Sequence, residues 1–198
     1  MSSRELILGR VRAALRDAPV PERVPRDYRP GGRPADLEVL IDRLVDYKAT
    51  VHRVTSDEVA VTVAGLVGEG HSVLVPPGLP ESWRPHGAFA DDGLAPDRIA
   101  AADAVLTAAA VAVAETGTIV LDASPDQGRR IITLLPDVHI CVLRPDQVVA
   151  AVPDAVARLD PRRPLTWISG PSATSDIELN RVEGVHGPRS LHVLILLD

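Results

Sequence analysis

Short runs of branched apolar residues alternate along this chain with segments of helical periodicity, and this alternation limits the possible folds more than any other feature. Apolar runs that predict strands lie at 50–54, 72–75, 104–114, 118–121, 138–143, 165–169 and 191–197. Helical patterns lie at 55–67, 128–135 and 146–159. Strands that alternate with helices are typical of α/β domains, so we predict a three-layer α/β/α architecture with a mostly parallel sheet. Thr118 follows Val113 too closely for a helical crossover, which predicts an antiparallel or bent connection there.

The first 35 residues differ in character from the rest of the chain. Residues 3–17 place apolar side chains at helical spacing between arginines, which predicts a short amphipathic helix. Prolines recur through residues 18–35, and because proline lacks a backbone N–H, this stretch cannot form the regular hydrogen bonds of a helix or a sheet. It is therefore interpreted as a linker or a draped loop. Asp36 can cap the helix that follows. We therefore divide the chain into an N-terminal helix and Pro-rich linker, 1–35, and an α/β domain, 36–198.

Composition excludes several classes of function. The chain carries 21 basic and 27 acidic residues, a formal net charge of −6, and no long basic stripe, so a nucleic-acid partner is not expected. Its single cysteine, Cys141, lies in an apolar run, which excludes an internal disulfide or a multi-cysteine metal site and predicts a packing role. No apolar run approaches the roughly 20 residues that span a bilayer, and the N-terminus does not resemble a signal peptide. A cytoplasmic location is the expectation.

The segment from Val111 to Leu121 places one carboxylate, Glu115, at a Gly-containing turn between two hydrophobic runs. A carboxylate in that setting can act as a nucleophile that forms an acyl intermediate, or as a general base. It can equally bond the backbone amides of its own turn, with Thr116 and Thr118 doing the same around Gly117. Both interpretations stay open from the sequence.

The segment from Trp167 to Glu178 predicts a strand that runs into a hydroxyl-rich loop and then a short helix. Backbone amides and hydroxyls at such a helix start can bind an anion, and the residues proposed for this role are Gly170, Ser172, Thr174, Ser175 and Asp176. The alternative is plain capping of that helix by the same hydroxyls. The segment carries neither a Walker loop nor a dinucleotide fingerprint.

The loop at 184–189 offers one imidazole and one guanidinium just before the last predicted strand. Arg189 can clamp a carboxylate or a phosphate through two parallel hydrogen bonds. His186 can serve as an acid or a base, although a lone loop histidine is more often structural. Asp176 and Glu178 could join Glu115 at a divalent cation, but no spacing fixes such a site and no metal ligand is predicted.

Three motifs occur here in a fixed order: Ala-Glu-Thr-Gly-Thr at 114–118, Ser-Gly-Pro-Ser-Ala-Thr-Ser-Asp-Ile-Glu at 169–178, and Gly-Val-His-Gly-Pro-Arg at 184–189. Together they resemble the lactate-utilization (LUD) domain family, in particular its protein C branch, from about residue 36 to the end of the sequence. The resemblance implies a fold similar to the ribose-5-phosphate isomerase, glucosamine-6-phosphate deaminase and coenzyme A transferase group. In the related transferases a glutamate beside a glycine attacks the acyl thioester, and Glu115 resembles that residue.

The same resemblance implies a cytoplasmic role in oxidising L-lactate to pyruvate together with iron–sulfur partner proteins. Because this chain has a single cysteine, it is expected to bind no cofactor of its own, and the iron–sulfur clusters are expected on the partners.

Three hypotheses follow for function. The chain can be an accessory subunit of a lactate-oxidising complex, inert alone and binding partners through surfaces such as the helix at 3–17. It can be a stand-alone enzyme of the coenzyme A transferase, sugar-phosphate isomerase or folate cyclo-ligase type, acting on a small anionic substrate through Glu115. It can also be a binding module that senses a small carboxylate through Arg189.

Overall fold

The computed structural model describes residues 2–17, 31–171, 173–174, 182–184 and 186–198. The chain divides into two compact units, residues 1–30 and 31–198. The first unit contains helix α1, Ser3–Ala14, as the amphipathic pattern predicts. Ser2 caps this helix, accepting a hydrogen bond from the Glu5 amide, while the Glu5 carboxylate accepts one from the Ser2 amide.

The second unit contains the remaining helices and all of the described strands. The helices are α2 Leu37–Asp46, α3 Val59–Val67, α4 Pro96–Ala100 and α5 Val152–Arg158. The strands are β1 Thr50–Val54, β2 Val73–Val75, β3 Phe89–Ala90, β4 Ala104–Ala108, β5 Val111–Val113, β6 Thr118–Leu121, β7 Val138–Leu143, β8 Val148–Val149, β9 Thr166–Ile168, β10 Ala173–Thr174, β11 Val182–Glu183 and β12 Ser190–Leu196. Asp36 caps α2 as predicted, because its carboxylate accepts hydrogen bonds from the backbone amides of Glu38 and Val39.

The main sheet has six strands in the order β1-β12-β7-β4-β2-β3, and every neighbouring pair is parallel. Helix α3 contributes Val59 and Val63 to a core on one face, where they pack against β2, β4, β7 and β12. On the other face Leu40 and Leu44 of α2 pack against β7 and β12, and Ile99 of α4 packs against β2 and β4. The predicted three-layer α/β/α architecture with a mostly parallel sheet is confirmed.

A second sheet, in the order β8-β5-β6-β9, was not foreseen. The predicted strand 104–114 is in fact two strands, because the chain leaves the main sheet after β4 and enters the second sheet as β5. Strands β5 and β6 pair antiparallel, with Val113 opposite Thr118, as their short separation predicts. The predicted strand 165–169 forms β9, which joins this second sheet antiparallel to β6. Ala155 of α5 packs on its outer face.

Two predicted helices are only partly correct. Residues 128–135 contain only the 3-10 turn Arg130–Thr133, because Gly128 has a positive φ of 72° and Pro136 follows closely. Within 146–159 the β-branched pair Val148–Val149 forms β8 against β5, and the helix starts at Val152, where Pro153 occupies its first turn. In the described part of the chain, no helix is long and apolar enough to cross a membrane.

Candidate functional site

The turn between β5 and β6 lies against the C-terminal end of α2. Gly117 has a φ of 59°, and a Cβ atom there would lie 2.7 Å from Arg43 Cβ and 3.0 Å from the Arg43 carbonyl carbon. The amides of Ala114 and Glu115 donate to the carbonyls of Val149 and Ala150, at 2.8 and 3.1 Å. The turn is therefore fixed on two sides, by α2 and by the end of β8 with the residue after it.

Hydroxyl groups connect this turn to the residue that follows β9. The Thr116 and Thr118 hydroxyl oxygens lie 2.8 Å apart, and the Thr118 hydroxyl oxygen lies 2.8 Å from that of Ser169. Gly170, with a φ of 82°, lies against the end of α2, since a Cβ there would lie 2.5 Å from the Tyr47 carbonyl oxygen. The structure thus brings the predicted residues Thr116, Thr118 and Gly170 together, with Ser169 between them.

Glu115 lies apart from this hydroxyl cluster, in a cavity of about 390 Å³ that it shares with Arg33, Asp36 and Arg43. Its carboxylate oxygen is 3.8 Å from the Arg33 guanidinium, and 45% of its side chain is exposed. Ion pairs at this exposure contribute little to stability because water screens them. The turn therefore leaves the Glu115 carboxylate open to solvent. A catalytic role for Glu115 stays a prediction.

A second cavity, of about 290 Å³, contains Ser169, Gly170 and His186 in its lining. The buried imidazole of His139 lines the same cavity, and its Nε2 lies 2.9 Å from the Thr107 hydroxyl oxygen. Burial lowers the pKa of His139 to about 4, so the ring is neutral at pH 7. Sequence reasoning missed His139, because a histidine inside an apolar strand gives no signal of what its ring faces.

Arg189 does not line that cavity. Its side chain lies over Gly184, and its Nε is 3.6 Å from a carboxylate oxygen of Asp137, with both side chains about two-thirds exposed. The predicted role of Arg189 as an anion clamp therefore stays a prediction that would need this surface pair to open.

The remaining predicted anion-binding residues lie at or beyond the limits of the described chain. The backbone of Thr174 is in β10, which pairs antiparallel with β11. Ser172, Ser175 and Asp176, together with the predicted short helix, lie outside the described residues. Among the described residues, no group of three or more His, Cys, Asp or Glu side chains is arranged to hold a metal ion.

Sequence reasoning also missed a third cavity, of about 450 Å³, which Asp126, Arg144 and Arg158 line. It lies at the edge where strands β2, β4 and β7 end. One signal was present in the sequence, because Asp122 and Arg144 each follow directly after a predicted strand.

Comparison with known proteins yields one family. The model of the LUD domain matches residues 89–196. "Lactate utilization protein C" of Deinococcus radiodurans is 47% identical over 174 residues, which cover 84% of this chain and 82% of that protein. An uncharacterized protein of Neisseria meningitidis is 30% identical over an alignment that covers 100% of this chain and 94% of that one. The crystal structure of a DUF162 family protein from Deinococcus radiodurans is similar with a TM-score of 0.69 and 41% identity, over 81% of this chain and 95% of that chain.

Proposed function

The chain belongs to the LUD domain family, and from this we propose that it takes part in cytoplasmic lactate utilization as an accessory subunit that acts with iron–sulfur partner proteins. The observation that carries the proposal is the 47% identity to a lactate utilization protein C across 82% of that protein. The alignment covers 84% of this chain and is therefore not confined to one motif. A shared role is therefore a stronger inference here than one drawn from the fold alone.

The proposed division of labour follows from the chemistry of lactate oxidation. Conversion of lactate to pyruvate releases two electrons and two protons, and the electrons need an acceptor. The single cysteine of this chain is fully buried between the main sheet and α2, and burial raises the pKa of the Cys141 thiol to about 12. An un-ionised, enclosed thiol is a poor cluster ligand, since iron–sulfur clusters bind thiolates. We therefore assign the clusters to the partners.

Helix α1 is the surface we propose for partner binding. Its apolar side chains Leu6, Ile7 and Val11 are 43%, 59% and 47% exposed, and the helix has no buried residue. An amphipathic helix that shows its apolar side chains to solvent is a common docking element, since covering that face removes apolar area from water.

The stand-alone enzyme is the second candidate, and one observation favours it. Arg33 and Arg43 lie in the same cavity as Glu115, so an anionic substrate there would meet two guanidinium groups beside a carboxylate. In this alternative Glu115 is the nucleophile or base, and the isolated chain is active.

One complementation experiment separates the two. Cells that lack the gene are compared for oxygen uptake on L-lactate after restoring the wild-type chain, Glu115→Gln, or the matched surface variant Glu69→Gln. The subunit proposal predicts that deletion abolishes lactate-dependent uptake and that all three chains restore it. Loss with Glu115→Gln alone, at equal protein level, would favour the enzyme. Unchanged uptake after deletion would refute the lactate role itself.

A further inference from the structure

Three neighbouring strands of the main sheet, β7, β4 and β2, are parallel and end at the same edge. The residues that follow them, Arg144, Ala109 and Gly78, line one cavity of about 450 Å³. In open α/β sheets ligands bind beyond the carboxyl ends of the strands. The volume is in the range of small-molecule sites, roughly 300 to 1,000 Å³.

The loop at 124–127 lines this cavity and is hydrogen-bonded to β4 and to the residues that follow β2. The Gly78 amide donates to the Pro125 carbonyl at 2.9 Å, and the Ala108 amide donates to the Asp126 carbonyl at 3.0 Å. A Cβ atom on Gly78 would lie 2.5 Å from Pro125 Cβ and 2.6 Å from its carbonyl carbon, so the loop approaches as closely as glycine allows. The backbone carbonyls of Pro125 and Asp126 thus hold this loop at the cavity.

Asp126 lines this cavity, and one of its two carboxylate oxygens lacks a hydrogen bond within the described chain. Among the described residues, its Oδ1 is buried and has no hydrogen-bond partner. Such an atom destabilises the folded chain, and its presence calls for an explanation other than stability. Burial raises the pKa of Asp126, while hydrogen bonds with its own backbone amide and with Gln127, together with the Arg144 charge, oppose the rise.

Two guanidinium groups line the same cavity. Arg158 Nη1 donates to the Asp146 carbonyl oxygen at 2.9 Å, and Arg144 Nε lies 3.4 Å from an Asp146 carboxylate oxygen. These contacts use a fraction of the five N–H donors that each guanidinium carries. The other acidic group in the lining, Asp122, is paired with Arg163 at 2.9 Å. The cavity therefore combines two guanidinium groups with one partly buried, ionisable carboxyl group.

We propose that this cavity binds a small organic anion that carries a carboxylate and an adjacent hydroxyl or carbonyl oxygen. The ligand carboxylate contacts Arg144 and Arg158, because guanidinium groups match its planar geometry. The adjacent oxygen pairs with Asp126, which accepts from a hydroxyl when ionised and donates to a carbonyl when protonated. The ligand site and the proposed pathway role can be tested separately. If this cavity binds no ligand, the chain can still act as an accessory subunit of lactate oxidation.

Calorimetric titration of the full chain tests the site, with L-lactate, pyruvate, propionate and inorganic phosphate as probes. Lactate and pyruvate are expected to bind more tightly than propionate, which has the same carboxylate and chain length without the second oxygen. Arg144→Gln and Arg158→Gln should each weaken binding at least about tenfold, and the surface variant Arg98→Gln should not. The proposed site is overturned if none of the probes binds the wild-type chain. It is also overturned if Arg144→Gln and Arg158→Gln bind the probes as tightly as the control Arg98→Gln. Tightest binding by phosphate would overturn the ligand class.

A pH series tests the part played by Asp126. The charged groups around it are Arg144, Arg158, Asp122, Asp146 and Arg163. The pKa of Asp126 is raised, and its protonation removes a negative charge beside the bound anion. The affinity for pyruvate should therefore rise as the pH falls in the wild type. Asp126→Asn should abolish that slope while still binding, and Asp92→Asn should keep it. An unchanged slope in Asp126→Asn would remove Asp126 from the site.

Discussion

His139 lies within the main sheet, on β7, with 1% of its surface exposed. Its hydrogen bond with Thr107 joins β7 to β4, the strand beside it. Burial lowers its pKa to about 4. In the unfolded chain the imidazole binds a proton below about pH 6.5, whereas in the folded chain it stays neutral down to about pH 4. The ring is thus a source of acid sensitivity that no surface histidine supplies.

His139 predicts the direction and range of that sensitivity. A lowered folded pKa means that the unfolded state binds more protons between pH 6.5 and 4, so the free energy of unfolding falls as the pH falls through this window. From the pKa of about 4, the contribution to the loss between pH 7 and pH 4 is about 3 kcal/mol. Urea unfolding across this range should show a flatter pH dependence for His139→Gln than for the wild type.

The exposed histidine His86 provides the control for this measurement. His86→Gln should reproduce the wild-type pH dependence, since this side chain lies on the surface and not in the core. If His139→Gln keeps the wild-type slope as well, the acid sensitivity comes from other groups and the burial of His139 does not set it.

The β5–β6 turn and helix α3 place glycines in opposite situations. Gly117 has a positive φ, and any Cβ atom would press on the backbone of α2. Gly65 lies inside α3, where an added Cβ would meet nothing within 4 Å. Substitution of Gly117 tests whether the β5–β6 turn is held against α2, and substitution of Gly65 provides the comparison.

Replacing each glycine by alanine should have effects of opposite sign. Gly117→Ala should lower the free energy of unfolding by about 2 kcal/mol, because it adds both left-handed strain and a clash with Arg43. Gly65→Ala should raise it by about 0.5 to 1 kcal/mol through the better helix propensity of alanine. Denaturant unfolding of the two variants gives both values. A wild-type midpoint for Gly117→Ala would mean that the turn moves away from α2 at little cost.

At the scale of the whole molecule, the described core belongs to one unit. The buried hydrophobic side chains of the described residues all lie between Leu40 and Leu196, and α1 contributes none. Both sheets share that core, because one cluster joins α2, the inner face of the second sheet and strands β7 and β12. The unit 31–198 therefore contains what it needs to fold.

A chain that starts at residue 31 should fold and should lose its proposed partner. We expect its melting temperature to stay within about 3 °C of the full chain, since a larger shift would require a loss on the order of 1 kcal/mol. Copurified iron and acid-labile sulfide should fall to background with this truncation, and also with Ile7→Asp in the full chain. If the truncated chain unfolds, residues 31–198 do not contain all that the core needs. A truncated chain that retains the iron–sulfur partner would exclude α1 as its docking surface.

Periodicity and capping residues determined the local elements of this protein from the sequence alone. Alternating apolar runs predicted β1, β7 and β12, Asp36 marked the start of α2, and the short step from Val113 to Thr118 predicted an antiparallel pair. These features depend on interactions between residues close in the chain, so a local pattern is enough to specify them. The motifs at 114–118, 169–178 and 184–189 likewise indicated the family, because they are short stretches of residues that can be identified without their tertiary surroundings.

The tertiary structure alone decided which strands share a sheet and which side chains share a cavity. The run 104–114 has uniform hydrophobicity, so nothing local reveals that β4 and β5 belong to different sheets. Val148–Val149 forms a strand because it pairs with the edge of β5, although the local sequence has a helical pattern. In the same way Glu115 and His186 lie in separate cavities, while Asp126, Arg144 and Arg158 come together from three distant segments. Such groupings depend on long-range packing. A single sequence shows which surfaces are apolar, but it does not show which of these surfaces contact each other.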